Sequence, residues 1–225
     1  MKTLKISISG FLAMVLIGLM SMTCFAVDTS DQPLKGPTKT FIEMCDCLFT
    51  NSTEYRALDK GQNDVTNAFI SSHASDYQSR DYDTLWKAFR AELYGITWRT
   101  EEEISTFGNV VNRTVEDNFY VVDGTTGTVP EFAFEMLYAV SGDYSYDTST
   151  HEFLDHSDAR VSLDSFHGGA YFTPSVYNKR SNVSVNGNRI NFTGGFSLKV
   201  AFDYHTYHTT QNFGPYSGTV TGYAQ

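Results

Sequence analysis

The residues best equipped for chemistry stand in one run, His151-Glu152-Phe153-Leu154-Asp155-His156. Two histidines beside acidic residues resemble the start of a zinc-protease helix, where ligands four apart share one face. Here the histidines are five apart, and the extra residue turns the second imidazole by about 100° around a helix. The run also lies among strand and turn signals. An irregular loop could still gather His151, Asp155 and His156, with Asp158, around a metal ion. An ordinary polar loop is the competing reading.

A second cluster is Tyr204-His205-Thr206-Tyr207-His208. On a strand, His205 and Tyr207 share one face, opposite Tyr204, Thr206 and His208. Histidines on opposite faces cannot hold one metal without a bulge. The aromatic residues could stack on sugar rings or fill a peptide groove, or Tyr204 could simply extend a buried face. The candidate ligand-binding residues are Tyr204, His205, Tyr207, His208 and Tyr216, with Phe213 and Tyr223 as neighbours.

Other chemistries lack support. There is no Gly-x-Ser-x-Gly elbow, no phosphate-binding glycine loop and no EF-hand loop. No cofactor is implied. A catalytic triad is defined in space, so the chain order excludes none. Four Asn-x-Ser/Thr sequons, at Asn51, Asn112, Asn182 and Asn191, matter only where exported proteins are glycosylated.

The elements that must position these residues divide the chain in two. Residues 38–107 read as helical. Thr40-x-x-Glu43 is a capping-box signature, and Phe41, Met44, Cys45, Leu48 and Phe49 fall on one helical face, with Asn51 near the end. Tyr82, Leu85, Trp86, Phe89 and Leu93 form a second helical stripe, with Asp81 or Asp83 at its start and Gly95 as its C′ residue. Val65 to Ser72 fits helix or strand. Glu101-Glu102-Glu103 after Thr100 reads as the first turn of a short helix.

From residue 108 onward the period changes to two. Phe132, Phe134, Met136, Tyr138 and Val140 share one face of a half-buried strand. So do Phe196, Leu198, Val200, Phe202 and Tyr204. Asn186-Gly187 between alternating residues marks a hairpin, and Asp123-Gly124 and Asp147 to Thr150 mark turns. The expected fold class is α+β: an N-terminal helical segment packed on a C-terminal antiparallel β-sandwich or incomplete barrel, with 38–107 and 108–225 forming one unit.

The N-terminus supplies an address. Lys2 and Lys5 precede the apolar run Phe11 to Met20, and Cys24-Phe25-Ala26 is a small-residue cleavage pattern. Residues 1–26 therefore read as a signal peptide cleaved after Ala26, and 27–37 as a flexible arm. The apolar run is about half of a membrane span, so no stable span is expected after cleavage. Thr23 is a poor residue before a lipidated cysteine, which argues against anchoring through Cys24. Losing two lysines takes the net charge from −10 to −12. So acidic a chain is a poor partner for nucleic acid.

Cleavage leaves Cys45 and Cys47, two residues apart. Their side chains diverge, so a bridge between them would be strained. Either could join a second copy in a disulfide dimer, or both could be small apolar helix residues. The leading functional expectation is a secreted, non-enzymatic binding protein at or outside the cell envelope, whose partner is an extracellular protein or a carbohydrate. The alternative is a secreted hydrolase with a dispersed, metal-assisted site.

Overall fold

A computed structural model of the chain describes residues 34, 36–125, 132–169, 171–204 and 207–225. The expected signal peptide and most of the arm lie outside the described residues. Helix α1, Lys39–Thr50, starts one residue after Thr38, whose Oγ1 accepts from the Phe41 N–H at 3.0 Å. The cap is thus Thr38, two residues ahead of Thr40. The helix buries Phe41, Met44, Cys45 and Leu48 along the predicted stripe, and Asn51 is its C-cap. Strand β1, Tyr55–Asp59, follows, then α2, Thr66–Gln78, which resolves the ambiguous stretch as helix. Helix α3, Tyr82–Glu92, is capped by Asp81 and buries Leu85, Trp86 and Phe89.

The helical reading of residues 38–107 is corrected at two places. Besides β1, residues Leu93–Phe107 form strand β2. Helix α3 ends at Glu92, so Gly95 is not a helix cap. A Cβ at Gly95 would lie 2.3 Å from the Tyr120 carbonyl oxygen, so glycine there lets β2 approach its neighbour. Glu101 to Glu103 are strand residues as well. The Arg113 guanidinium donates to Glu101 across the sheet at 2.7 Å. The strand escaped notice because it is polar beyond Trp98 and has no alternating apolar face there.

Beyond β2 the chain runs through β3 (Val110–Gly124), β4 (Ala133–Asp147), β5 (Phe153–His156), β6 (Arg160–His167), β7 (Phe172–Asn186), β8 (Arg189–Tyr204) and β9 (Tyr207–Tyr223). Two antiparallel sheets result, and neither closes into a barrel. The larger has the order β1-β2-β3-β4, with β5 and β6 sharing the far edge of β4. The smaller is β7-β8-β9. Asn186 pairs with Arg189 around the two-residue loop Gly187-Asn188, which places a hairpin at the Asn-Gly signal. The Asp147 carboxylate accepts from the Ser149 and Thr150 N–H groups, which builds the turn after β4.

The larger sheet carries two cores, one on each face. Phe119, Phe134, Met136, Tyr138, Val140 and Tyr144 pack against Ile190, Phe192, Phe196, Leu198 and Val200 of the smaller sheet. On the other face Ile96, Tyr120, Val122 and Ala133 meet Phe41, Leu48, Leu85, Trp86 and Phe89 of the helices. The alternating face predicted for β4 is present, but its opposite face is buried too, because the helices cover Ala133, Glu135 and Leu137. Each fully buried aromatic or aliphatic side chain contributes about 1.5–3 kcal/mol. The two layers interlock closely. A Cβ at Gly142 would come within 2.2 Å of the Phe192 ring.

A polar clasp fixes β9 beneath β2. The β1–β2 register skips a residue at Tyr94, a bulge that turns its ring toward the inter-sheet core. The Tyr94 and Tyr138 hydroxyls lie 2.7 Å apart, and their oxygens stand 3.3 and 2.8 Å from the Ser217 carbonyl oxygen, so two phenol protons serve one shared network. The Gln62 amide reaches the same carbonyl at 3.1 Å.

Candidate functional site: a groove between the sheets

Strand β9 is one of the two edges of the smaller sheet, and the larger sheet continues past it through β2 and β1. Between them lies a groove of about 590 Å³. Its wall on the larger sheet comprises Arg56, Thr97, Arg99 and Asp117, with Thr53 and Glu54, just ahead of β1, at the rim; Tyr55 and Trp98 also border it, but alternation turns their rings to the helix-side core. Register explains the wall: Arg56 stands opposite Thr97, and Arg99 opposite Asp117, on one face of three adjoining strands. The facing wall is Arg189, Thr219, Thr221 and Tyr223. The β9 residues alternate with Val220, which is buried in the inter-sheet core.

The charges in the groove are held in place. The Arg99 Nε donates to Asp117 Oδ1 at 3.0 Å. Burial pushes the Asp117 carboxyl up, and the Arg99 and Arg56 guanidiniums pull it back. On the opposite wall, Arg189 Nε donates to Asn191 Oδ1 at 3.0 Å and its Nη2 reaches Thr221 Oγ1 at 3.5 Å. Thr221 in turn donates to Asn191 at 2.9 Å. Arg56 is exposed and, among the described residues, forms no ion pair. Trp98 and Tyr55 lean together, ring centres 5.6 Å apart, on the other face of the sheet against the helix-side core, whereas Tyr223 is 39% exposed beside the groove. The groove can therefore offer guanidinium donors, threonine hydroxyls and the Tyr223 ring to one ligand.

A second concentration of reactive groups is buried. Glu135 is 3% exposed, between the larger sheet and α1. It accepts a short hydrogen bond from the Thr38 hydroxyl. Burial raises its carboxyl to about 7, while Thr38 and Tyr120 act in the opposite direction. The Tyr120 hydroxyl sits beside this carboxyl without a hydrogen bond of standard geometry, and burial holds it well above the ordinary phenol value. Burial likewise pushes the Cys45 thiol up. Glu135, Tyr120 and Cys45 are buried and Thr38 is half-buried, and the cluster links the N-terminal approach to the sheet, since Leu34 also bridges Ala133.

The residues singled out in the sequence fall elsewhere. His151 has a φ of 57° in the turn after β4, and its N–H donates to the Asp147 carbonyl. Asp155 accepts from the His156 N–H, and His156 Nδ1 lies 3.0 Å from the Ser157 carbonyl. Among the described residues no group of three His, Cys, Asp or Glu side chains is placed to hold a metal. Tyr204 and Tyr207 pair across the end of β8 and β9, and His205 lies outside the described residues. His208 is exposed, with Nδ1 2.6 Å from Asp203. Tyr216 is 2% exposed, and its hydroxyl donates to Asp123 Oδ2 at 2.6 Å, so its ring is packed inside and presents no surface. Cys45 is buried on α1, which closes it to a thiol from a second copy, while Cys47 is half-buried.

Sequence reasoning missed Arg56, Arg99 and Arg189. The first two lie in the segment read as helical. Arg189 and Asn191 share a strand face that the Asn-Gly hairpin already implied, but nothing local pointed across to Arg99. Comparison with models of known protein families, with characterised proteins and with solved structures finds no match.

Proposed function

We propose that this chain is a secreted, non-catalytic binding protein acting at or outside the cell envelope, an α+β unit whose β-sandwich holds a saccharide in the groove beside β9. The observation that carries this reading is the composition of the groove: three arginines, four threonines and the half-exposed ring of Tyr223 around one concave space. Concavity favours a small or chain-like ligand over a flat protein surface. Aromatic faces suit the apolar faces of sugar rings, and hydroxyls and guanidiniums suit their oxygens. Arginines on both walls favour a sugar that carries carboxylate or sulfate groups. Such a ligand would otherwise be repelled by a chain of net charge −10.

The test is titration calorimetry, because Trp86 and Trp98 both pack on the helix-side core and neither ring reports on the groove. Titration with uronic-acid and sulfated oligosaccharides should give a saturable heat. Arg189→Ala and Tyr223→Ala should each weaken binding by about 10-fold, the scale of one lost charged hydrogen bond or one aromatic contact. No saturable heat with any member of the saccharide panel, or variants that bind like the parent, would defeat the proposal.

A further inference from the structure

A second concave site lies on the helix side and shares no residue with the groove. It is a pocket of about 560 Å³ formed by Lys60, Lys87, Arg90, Ala91, Val122, Asp123 and Gly124. Three separate parts of the chain bring the cations together. Lys60 follows the end of β1. Lys87 and Arg90 are three apart on α3, so they share one face of it. Asp123 and Gly124 close the end of β3.

The local bonding leaves these cations available. Lys60 and Lys87 make no hydrogen bond or ion pair among the described residues, and Arg90 makes only a long one, Nη2 to the Thr125 carbonyl at 3.5 Å. The one carboxylate in the pocket is already engaged. Asp123 accepts from the Tyr216 hydroxyl at 2.6 Å and from the Gly124 N–H at 2.7 Å. Desolvation holds the Lys60 amine below the ordinary lysine value, Asp123 opposes this, and the Arg90 cation adds to the depression. Like charges crowded into a concavity are uncomfortable without a counter-charge, and an acidic chain has little reason to collect them by accident of composition.

We propose that this pocket binds a small oxyanion of the dianionic phosphate or sulfate class, with Lys60, Lys87 and Arg90 as its donors. Three cations against one carboxylate leave an excess of two positive charges, which matches a dianion better than a carboxylate. Arg90 offers a planar fork to two oxygens, and the two lysines act as point charges. This site is distinct from the saccharide groove, shares none of its residues, and does not depend on it.

The experiment is a titration of the full mature chain with inorganic phosphate, sulfate and acetate at constant ionic strength. The signals followed are the backbone amides of Lys60, Gly61, Arg90 and Gly124 and the side-chain resonances of Lys60. Phosphate or sulfate should shift these signals saturably and raise the midpoint of Lys60 titration, and acetate should bind at least 10-fold more weakly. Lys60→Gln and Arg90→Gln should each weaken phosphate binding by about 10-fold, and Lys179→Gln on exposed β7 should leave it unchanged. The variants are surface changes whose folding is checked by their unaltered amide spectrum elsewhere. No saturable shift, equal affinity for acetate, or an equal loss in Lys179→Gln would each overturn the proposal.

Discussion

Replacing Glu135 by glutamine should make the protein more stable at neutral and alkaline pH and leave it nearly unchanged at low pH. The carboxyl is 3% exposed and titrates near 7 in the folded state, against 4.5 for an ordinary glutamate. That gap corresponds to about 3 kcal/mol between the two protonation states. Because the folded value is raised, the protonated form is the one the fold favours. Below pH 4.5 both folded and unfolded chains are protonated and stability is complete. As pH rises from 4.5 through 7 the unfolded chain sheds its proton first, and about 3 kcal/mol is lost. Above 7 the loss levels off.

The neighbours of Glu135 do not titrate across this window. Tyr120 on β3 and Cys45 on α1 are both pushed upward by burial and stay neutral. A glutamine keeps an oxygen to accept from Thr38 and offers an amide to the unsatisfied Tyr120 hydroxyl, without the buried charge. Glu116 and Asp117 are also raised by burial and contribute their own pH dependence, which cancels when variant and parent are compared. The assay is urea unfolding of both proteins at steps between pH 4 and 8.5. The expected result is a difference that grows from near zero to about 3 kcal/mol, with its steepest part between pH 5 and 7. Parallel curves, including curves offset by a constant amount, would show that Glu135 is not the buried acid described.

Two further substitutions probe the packing. Gly142→Ala should lower stability by about 1–3 kcal/mol in urea unfolding, because the new Cβ meets the Phe192 ring at 2.2 Å between two packed sheets; an unchanged midpoint would mean the layers are not in close contact there. Tyr216→Phe removes the 2.6 Å donor to Asp123 and should cost about 1–3 kcal/mol, with little change in the size of the cavity left behind. If it proves neutral, the Tyr216–Asp123 bond does not hold the second sheet to the end of β3.

Several parts of the fold were legible in local sequence. The stripes through Phe41 and Leu48 and through Leu85 and Phe89 each specify a helix, because apolar spacing of three and four has one simple burial solution. The alternation through Phe132 and Val140 specifies a strand for the same reason, and Asn186-Gly187 specifies a reversal. The sequence could not reveal β2 as readily. Its partners at Arg99 and Glu101 are charged residues satisfied across the sheet, by Asp117 and Arg113, and cross-strand ion pairs leave no apolar rhythm to read.

Residue type and spacing alone therefore determined two of the three helices of the N-terminal part, the alternating core strands, the hairpin at Gly187 and the net negative charge. Only tertiary structure decided that β4 is buried on both faces, that Glu135 is sealed against Thr38, and that cations distant in sequence line two concavities. The physical reason is that burial, charge crowding and a shared groove are properties of surfaces meeting. Arg99 and Arg189 come to line one groove only when β2 overhangs the edge of the second sheet, and no spacing within either strand encodes that meeting.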